Sequence, residues 1–171
     1  AEMGIHFSVP LLALLGVVFM RATVSSGISS FIPLYYVSFL NGNELYASKI
    51  LTVCLASGAI GTLFGGTLSD RYGSKRVMIC SILPVTAMLA AFQHVAGLWA
   101  FLPLGIASAL LSASFSSSVV LIQKMLPNNV GMASGLAIGF SVGLGGMGVL
   151  ALGRIADLWT LPVVFDILAF L

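Results

Sequence analysis

Charge is what this sequence has least of. Of its 171 residues only 7 % are charged and 59 % are hydrophobic, whereas a water-soluble domain carries about a quarter charged residues because its surface must face solvent. A chain this poor in charge has no such surface and is an integral membrane protein. The net charge of +2 is small, and the basic residues form no stripe interleaved with aromatics, so no nucleic-acid partner is expected. Cysteine and histidine are scarce as well, two of each. Cys54 and Cys80 fall inside apolar runs with no CxxC and no His beside them, which reads as two small buried hydrophobes rather than a disulfide or a metal site. No metal and no organic cofactor is expected. His6 and His94 stand at the edges of apolar runs, and there is no HExxH, no Asp pair within a run and no Ser with a His at depth. In "GMASGL" Met132 and Ala133 separate Gly131 from Ser134, which is not the G-x-S-G of a membrane serine protease. The chemistry an intramembrane enzyme needs is missing, and so are the filter or charged ring of a channel. The first apolar run continues past the length of a signal h-region and shows no small-residue cleavage site, so no signal peptide is read.

What the sequence does have is long apolar runs. A helix needs about 20 residues to cross a bilayer core, and breaking the chain at Gly, Pro, Asn and charge clusters leaves six candidate spans: 9–38, 47–69, 76–95, 98–124, 130–153 and 159–171. The connectors between them, "NGNELYAS", "DRYGSKR", "HVAG", "KMLPNN" and "RIADLW", are short and polar. The fold class is therefore all-α, six transmembrane helices in one lipid-embedded bundle. The chain starts without Met and its sixth run stops after 13 residues at Leu171, so a fragment cut inside its sixth helix is expected. Orientation follows from Lys and Arg. Arg71, Lys75 and Arg76 follow the second span and Lys124 the fourth, which places both loops and the N-terminus on the cytoplasmic side of the cell membrane. Lys49 and Arg154 lie on the outer side, each with an acid nearby, Glu44 and Asp157.

Charge gathers in one place, "GGTLSDRYGSKR" (65–76). Gly66 closes a helix whose neighbours come close. Asp70 follows at the membrane surface, where it can accept from N–H groups at a helix N-terminus. Gly73 permits the positive φ of a tight turn, and Lys75 and Arg76 hold the next helix start on the cytoplasmic side. An ordinary positive-inside loop explains any one of these residues; the joint pattern G-x-x-x-D-R-x-G-x-K-R calls for more. It resembles the signature loop of the major facilitator superfamily, found between the second and third helices of a six-helix half. The resemblance implies half of a twelve-helix transporter built from two inverted three-helix repeats, with Asp70 and Arg71 latching the cytoplasmic gate and Gly66, Gly73, Lys75 and Arg76 supplying the loop's shape and charge. An internal echo agrees: "GTLSD" (66–70) returns as "GRIAD" (153–157), each followed two residues on by an aromatic, Tyr72 and Trp159, on opposite sides of the membrane as an inverted repeat requires.

The fourth span lacks the Arg common in the family's N-terminal half, and the fifth, "GFSVGLGGMG", has the glycines of the antiporter pattern without its Pro. Both departures imply the C-terminal half, with the N-terminal half as the missing partner. The runs "RATVSSGISSFIPLYY" and "LPNNVGMASGLAIGFSVGLGGMG" resemble the fosmidomycin-resistance type of efflux protein. The function so implied is secondary active transport, proton-coupled efflux of a drug or small metabolite with the proton gradient as energy source; uptake of a sugar, organic anion or other nutrient is the alternative.

Polar residues inside a membrane are expensive and face a cavity or a partner. Arg21, Ser25 and Ser29 repeat at helical spacing in the first span, and Ser108, Ser112 and Ser116 in the fourth; the family lines its central cavity with these two helices. Arg21, near mid-bilayer, is the expected anion contact or coupling residue, with a structural Arg satisfied by carbonyls as the plain alternative. Asp166 lies only a turn below the outer surface and is a weak partner for it. Gly131, Gly135, Gly139 and Gly143 form overlapping GxxxG units, and Gly61 and Gly65 one more, all expected to let helices approach closely. Pro33 is expected to kink the first helix, with Tyr35 and Tyr36 in the outer aromatic belt.

Overall fold

The computed structural model of the protein describes residues 9–34, 44–94, 101–158, 163–164 and 167–168. These form five long helices, α1 (Val9–Leu34), α2 (Glu44–Tyr72), α3 (Ser74–His94), α4 (Phe101–Met125) and α5 (Val130–Leu158), with a 3-10 turn at Pro127–Asn129 leading into α5. α1, α2, α4 and α5 are long and apolar enough to cross a membrane, and α3, at 21 residues, reaches the required length too. Of the expected sixth span, 163–164 and 167–168 are helical. Tyr35, Tyr36, Trp159, Pro162 and Asp166 lie outside the described residues, as does His6.

The helix ends depart from the apolar runs. α2 extends three residues beyond 47–69 at each end, so Asp70 and Arg71 stand on its last turn, and Gly73 alone separates it from α3. α5 likewise runs on past 153 to Leu158, making "RIAD" helix rather than connector. Hydropathy marks where the bilayer ends, whereas the hydrogen-bond ladder continues into the interface until a residue breaks it. Pro33 sits in the last turn of α1. Pro84 stands inside α3.

Two apolar clusters fill the bundle, one toward each end. Val24, Ile28, Ile32, Ile50, Leu89, Leu104 and Leu152 belong to one. Leu14, Leu15, Val18, Met78, Ile122 and Ala137 belong to the other, nearer the α2–α3 turn. The layer between them is polar: Arg21, Thr23, Ser114, Ser117 and Ser118 are all buried there. Outside, Leu63, Phe64, Leu83, Val142 and Leu150 are each more than 60 % exposed. That surface suits lipid or another helix and not water.

Glycine sets the closest helix contacts. A Cβ at Gly61 would fall on the Ala109 backbone, and one at Gly65 would come within 2.8 Å of Ala113 Cβ, so α2 lies against α4 with almost no side chain between. α5 meets α1 at Gly145, where a Cβ would stand 2.8 Å from Ser26 Oγ and 3.2 Å from the Ala22 carbonyl, and at Gly148, where it would overlap Thr23. Gly131, Gly135, Gly139 and Gly143 make no such approach among the described residues, where nothing lies within 4 Å of a Cβ at any of them. GxxxG spacing reports a smooth stripe, not what covers it. Gly143 and Gly145, two residues apart, face directions about 200° apart around the helix, and only the second points into the chain.

The contacts recur. Gly58 meets Ser112 Oγ and the Ser108 carbonyl much as Gly145 meets Ser26 Oγ and the Ala22 carbonyl, and Gly61 meets Ala109 as Gly148 meets Thr23. Gly145 and Gly148 stand 87 positions after Gly58 and Gly61, while Ser108, Ser112 and Ala109 stand 86 positions after Ala22, Ser26 and Thr23.

Candidate functional site

Arg21 occupies the midpoint of α1 and is 7 % exposed. Its guanidinium donates from Nη1 to the Leu111 carbonyl on α4 at 3.4 Å and from Nη2 to Ser141 Oγ on α5 at 3.3 Å. The Phe115 ring centroid lies 4.9 Å from Cζ, close enough for a cation–π contact. Nε has no partner. These neighbours are neutral, so among the described residues the positive charge is solvated by dipoles and one ring with no carboxylate beside it. Among the described residues no other charged side chain stands away from the helix ends. A cation so placed is costly in a bilayer unless water or an anion reaches it.

Clefts do reach it. One of about 350 Å³ is lined by Arg21, Ser25, Ser26, Ser112, Phe115 and Ser141. A second, of about 360 Å³, places Arg21 at the edge of an apolar wall of Met20, Met78, Ile82, Leu83 and Leu111 between α1 and α3. A third, of about 270 Å³, holds Ser25, Ser29, Ser108 and Ser112 with Thr62 and Cys54. Ser25 and Ser112 line both the first and the third. Of the six residues expected in the cavity, Arg21, Ser25, Ser29, Ser108 and Ser112 thus converge. Ser116 also faces α2, 3.4 Å from where a Cβ on Gly66 would stand, as Ser112 faces Gly58.

Sequence reasoning missed Ser141, Phe115 and Thr62. Ser141 had a visible signal, a hydroxyl inside an otherwise glycine and apolar run; Phe115 had none. It also missed Gln123, whose Nε2 donates to Ser134 Oγ at 2.8 Å and ties the end of α4 to the start of α5.

At the α2–α3 turn Gly73 takes φ +88°. Its N–H donates to the Ser69 carbonyl at 3.1 Å, and its own carbonyl accepts from Arg76 and Val77 at 3.1 and 3.2 Å. Asp70, Arg71, Lys75 and Arg76 are all exposed. Asp70 does not cap α3: it stands at the C-terminal end of α2, and no hydrogen bond or ion pair of its side chain occurs among the described residues. The turn is instead held by Ser69 and Ser74. No His, Cys, Asp or Glu cluster able to hold a metal occurs among the described residues.

The sequence family described as Major Facilitator Superfamily matches residues 14–171. The chain is 34 % identical over 158 residues to the fosmidomycin resistance protein of Escherichia coli (strain K12), covering 92 % of this chain and 39 % of that protein. It is 32 % identical over 144 residues to the uncharacterized MFS-type transporter YfnC of Bacillus subtilis (strain 168), covering 84 % and 35 %. Over 163 residues it is 31 % identical to the multidrug resistance protein MdtG of Dickeya zeae (strain Ech586), covering 92 % and 40 %. The chain therefore spans about two fifths of the length of these curated relatives. No solved structure matches it significantly.

Proposed function

The chain belongs to the Major Facilitator Superfamily, and we propose that it is one six-helix half, the C-terminal one, of a transporter that exports a drug or small metabolite against protons. The observation that carries this reading is Arg21, a buried cation at mid-span bordered by serine-lined clefts. The names of the relatives, fosmidomycin resistance and multidrug resistance, favour efflux over nutrient uptake. The recurring glycine contacts, offset by 87 positions on α2 and α5 and by 86 on α1 and α4, support two three-helix repeats. α2 and α4 run the same way and α5 the opposite way, which supports an inverted relation between the repeats.

Alternating access then takes the form of rocking this half against the other about the central cavity. α5 and α2 are the least buried of the four spans, and they are the faces the other half would cover. Arg71, Lys75, Arg76 and Lys124 stand at one end of the bundle, which we assign to the cytoplasm, with the start of α1 on the same side. Arg21 would hold an anionic group of the substrate or exchange partners with a proton-carrying acid of the other half.

Growth inhibition of an efflux-deficient bacterial host tests the reading. Full-length wild type, Asp70→Asn and Arg21→Ala, at equal expression, would be compared against fosmidomycin and a panel of anionic and cationic antimicrobials. Resistance to at least one compound, lost in both variants, is expected. No resistance, with only nutrient accumulation altered, would overturn efflux.

A further inference from the structure

Asp70 stands nine positions beyond Gly61, where α2 meets α4; Asp157 stands nine beyond Gly148, where α5 meets α1. At 1.5 Å per residue each carboxylate lies about 14 Å past its helix crossing. α2 and α5 run in opposite directions, so the two lie at opposite ends of the bundle. Each has a basic neighbour, Arg71 and Arg154, and all four side chains are exposed. Neither carboxylate makes an ion pair or hydrogen bond among the described residues.

Both acids also occupy the last turn of their helices. The helix dipole is negative there and disfavours a carboxylate. The same exposed carboxylate thus stands twice at one register, each beside an arginine of its own helix and without an ion pair among the described residues, which leaves both charges open to a partner from outside. Beside Asp157 the structure offers room for one: a cleft of about 810 Å³ lined by Phe31, Met147, Leu150, Gly153, Arg154 and Asp157.

We propose that Asp157, with Arg154, is a second gating latch, the outer counterpart of Asp70 and Arg71. This rests on the alternating-access reading above. Its occupant is a helix end of the transporter's other half, since the chain spans only about two fifths of its relatives. The complement must present a Lys or Arg to Asp157 and an acceptor to Arg154. Rocking that closes one end opens the other, so the two latches engage alternately: Asp70 while the cavity faces outward, Asp157 while it faces inward.

The test uses the full-length transporter in right-side-out vesicles, with Cys54 and Cys80 changed to Ser and a reporter Leu55→Cys in the serine-lined cleft. A membrane-impermeant maleimide is added outside. Asp157→Asn is expected to raise the labelling rate, and Asp70→Asn to lower it, by up to about fivefold, the range an exposed charge pair gives. The double variant should return near the reporter's rate, and Asp157→Glu, which keeps the charge, should match it and so separate latching from misfolding. An unchanged or lowered rate in Asp157→Asn, with Asp70→Asn behaving as stated, overturns the second latch and leaves the transport reading standing. An unchanged rate in Asp70→Asn overturns alternating access by this loop and the second latch with it.

Discussion

Ser69 and Ser74, one at the end of α2 and the other at the start of α3, share a 2.7 Å hydrogen bond across Gly73, and both are buried. The bond staples the turn that carries every charge of the signature loop. Each hydroxyl satisfies the other, so truncating one strands its partner.

Ser69→Ala should therefore lower stability by about 1–3 kcal/mol, the cost of a buried polar group left unpaired, and Ser69→Ala with Ser74→Ala together by less than the two singly. Gly73→Ala should cost about 1–2 kcal/mol because φ +88° is left-handed. Thermal unfolding of detergent-purified full-length protein reads all of these. A double variant as unstable as the sum of the singles would show that the staple is not a unit.

Packing distinguishes the glycines. Gly61→Ala must push Ala109 backbone away, and it should destabilise by more than about 1 kcal/mol, as overpacked sites do. Gly148→Ala, against Thr23, should do the same. Gly139→Ala meets nothing within this chain, so its effect should be confined to association with the other half. A pull-down between separately expressed halves checks this: Gly139→Leu should weaken recovery of the partner half while leaving the monodispersity of this half unchanged.

Arg21 depends on Ser141 for one of its two hydrogen bonds. Ser141→Ala should leave Nη2 unpaired and raise the substrate concentration for half-maximal transport with little loss of expressed protein. Arg21→Lys keeps the charge but loses the planar fork that spans α4 and α5, and should fall between wild type and Arg21→Ala. Equal activity of Arg21→Lys and wild type would reduce the role of Arg21 to charge alone.

Much of this was readable from residues. Lack of charge and runs of about 20 apolar residues dictate membrane helices, and Ser25, Ser29, Ser108 and Ser112 could be placed on a shared cavity because three- to four-residue spacing survives folding. What escaped was set by crossings. The four-glycine stripe of α5 meets nothing among the described residues, while Gly145 and Gly148 face α1. Periodicity names a face; which neighbour meets it depends on where two helices cross. The ends of α2 and α5 escaped because hydropathy falls before the helix does.

The most direct measurement is proton movement in everted membrane vesicles holding the full-length protein, with an imposed pH gradient and fosmidomycin as the added probe. Antiport predicts substrate-dependent proton efflux from the acidified lumen, absent in Arg21→Ala and in Asp70→Asn at equal expression. Substrate movement that proceeds unchanged when the gradient is collapsed, or that runs in the same direction as the protons, would contradict it.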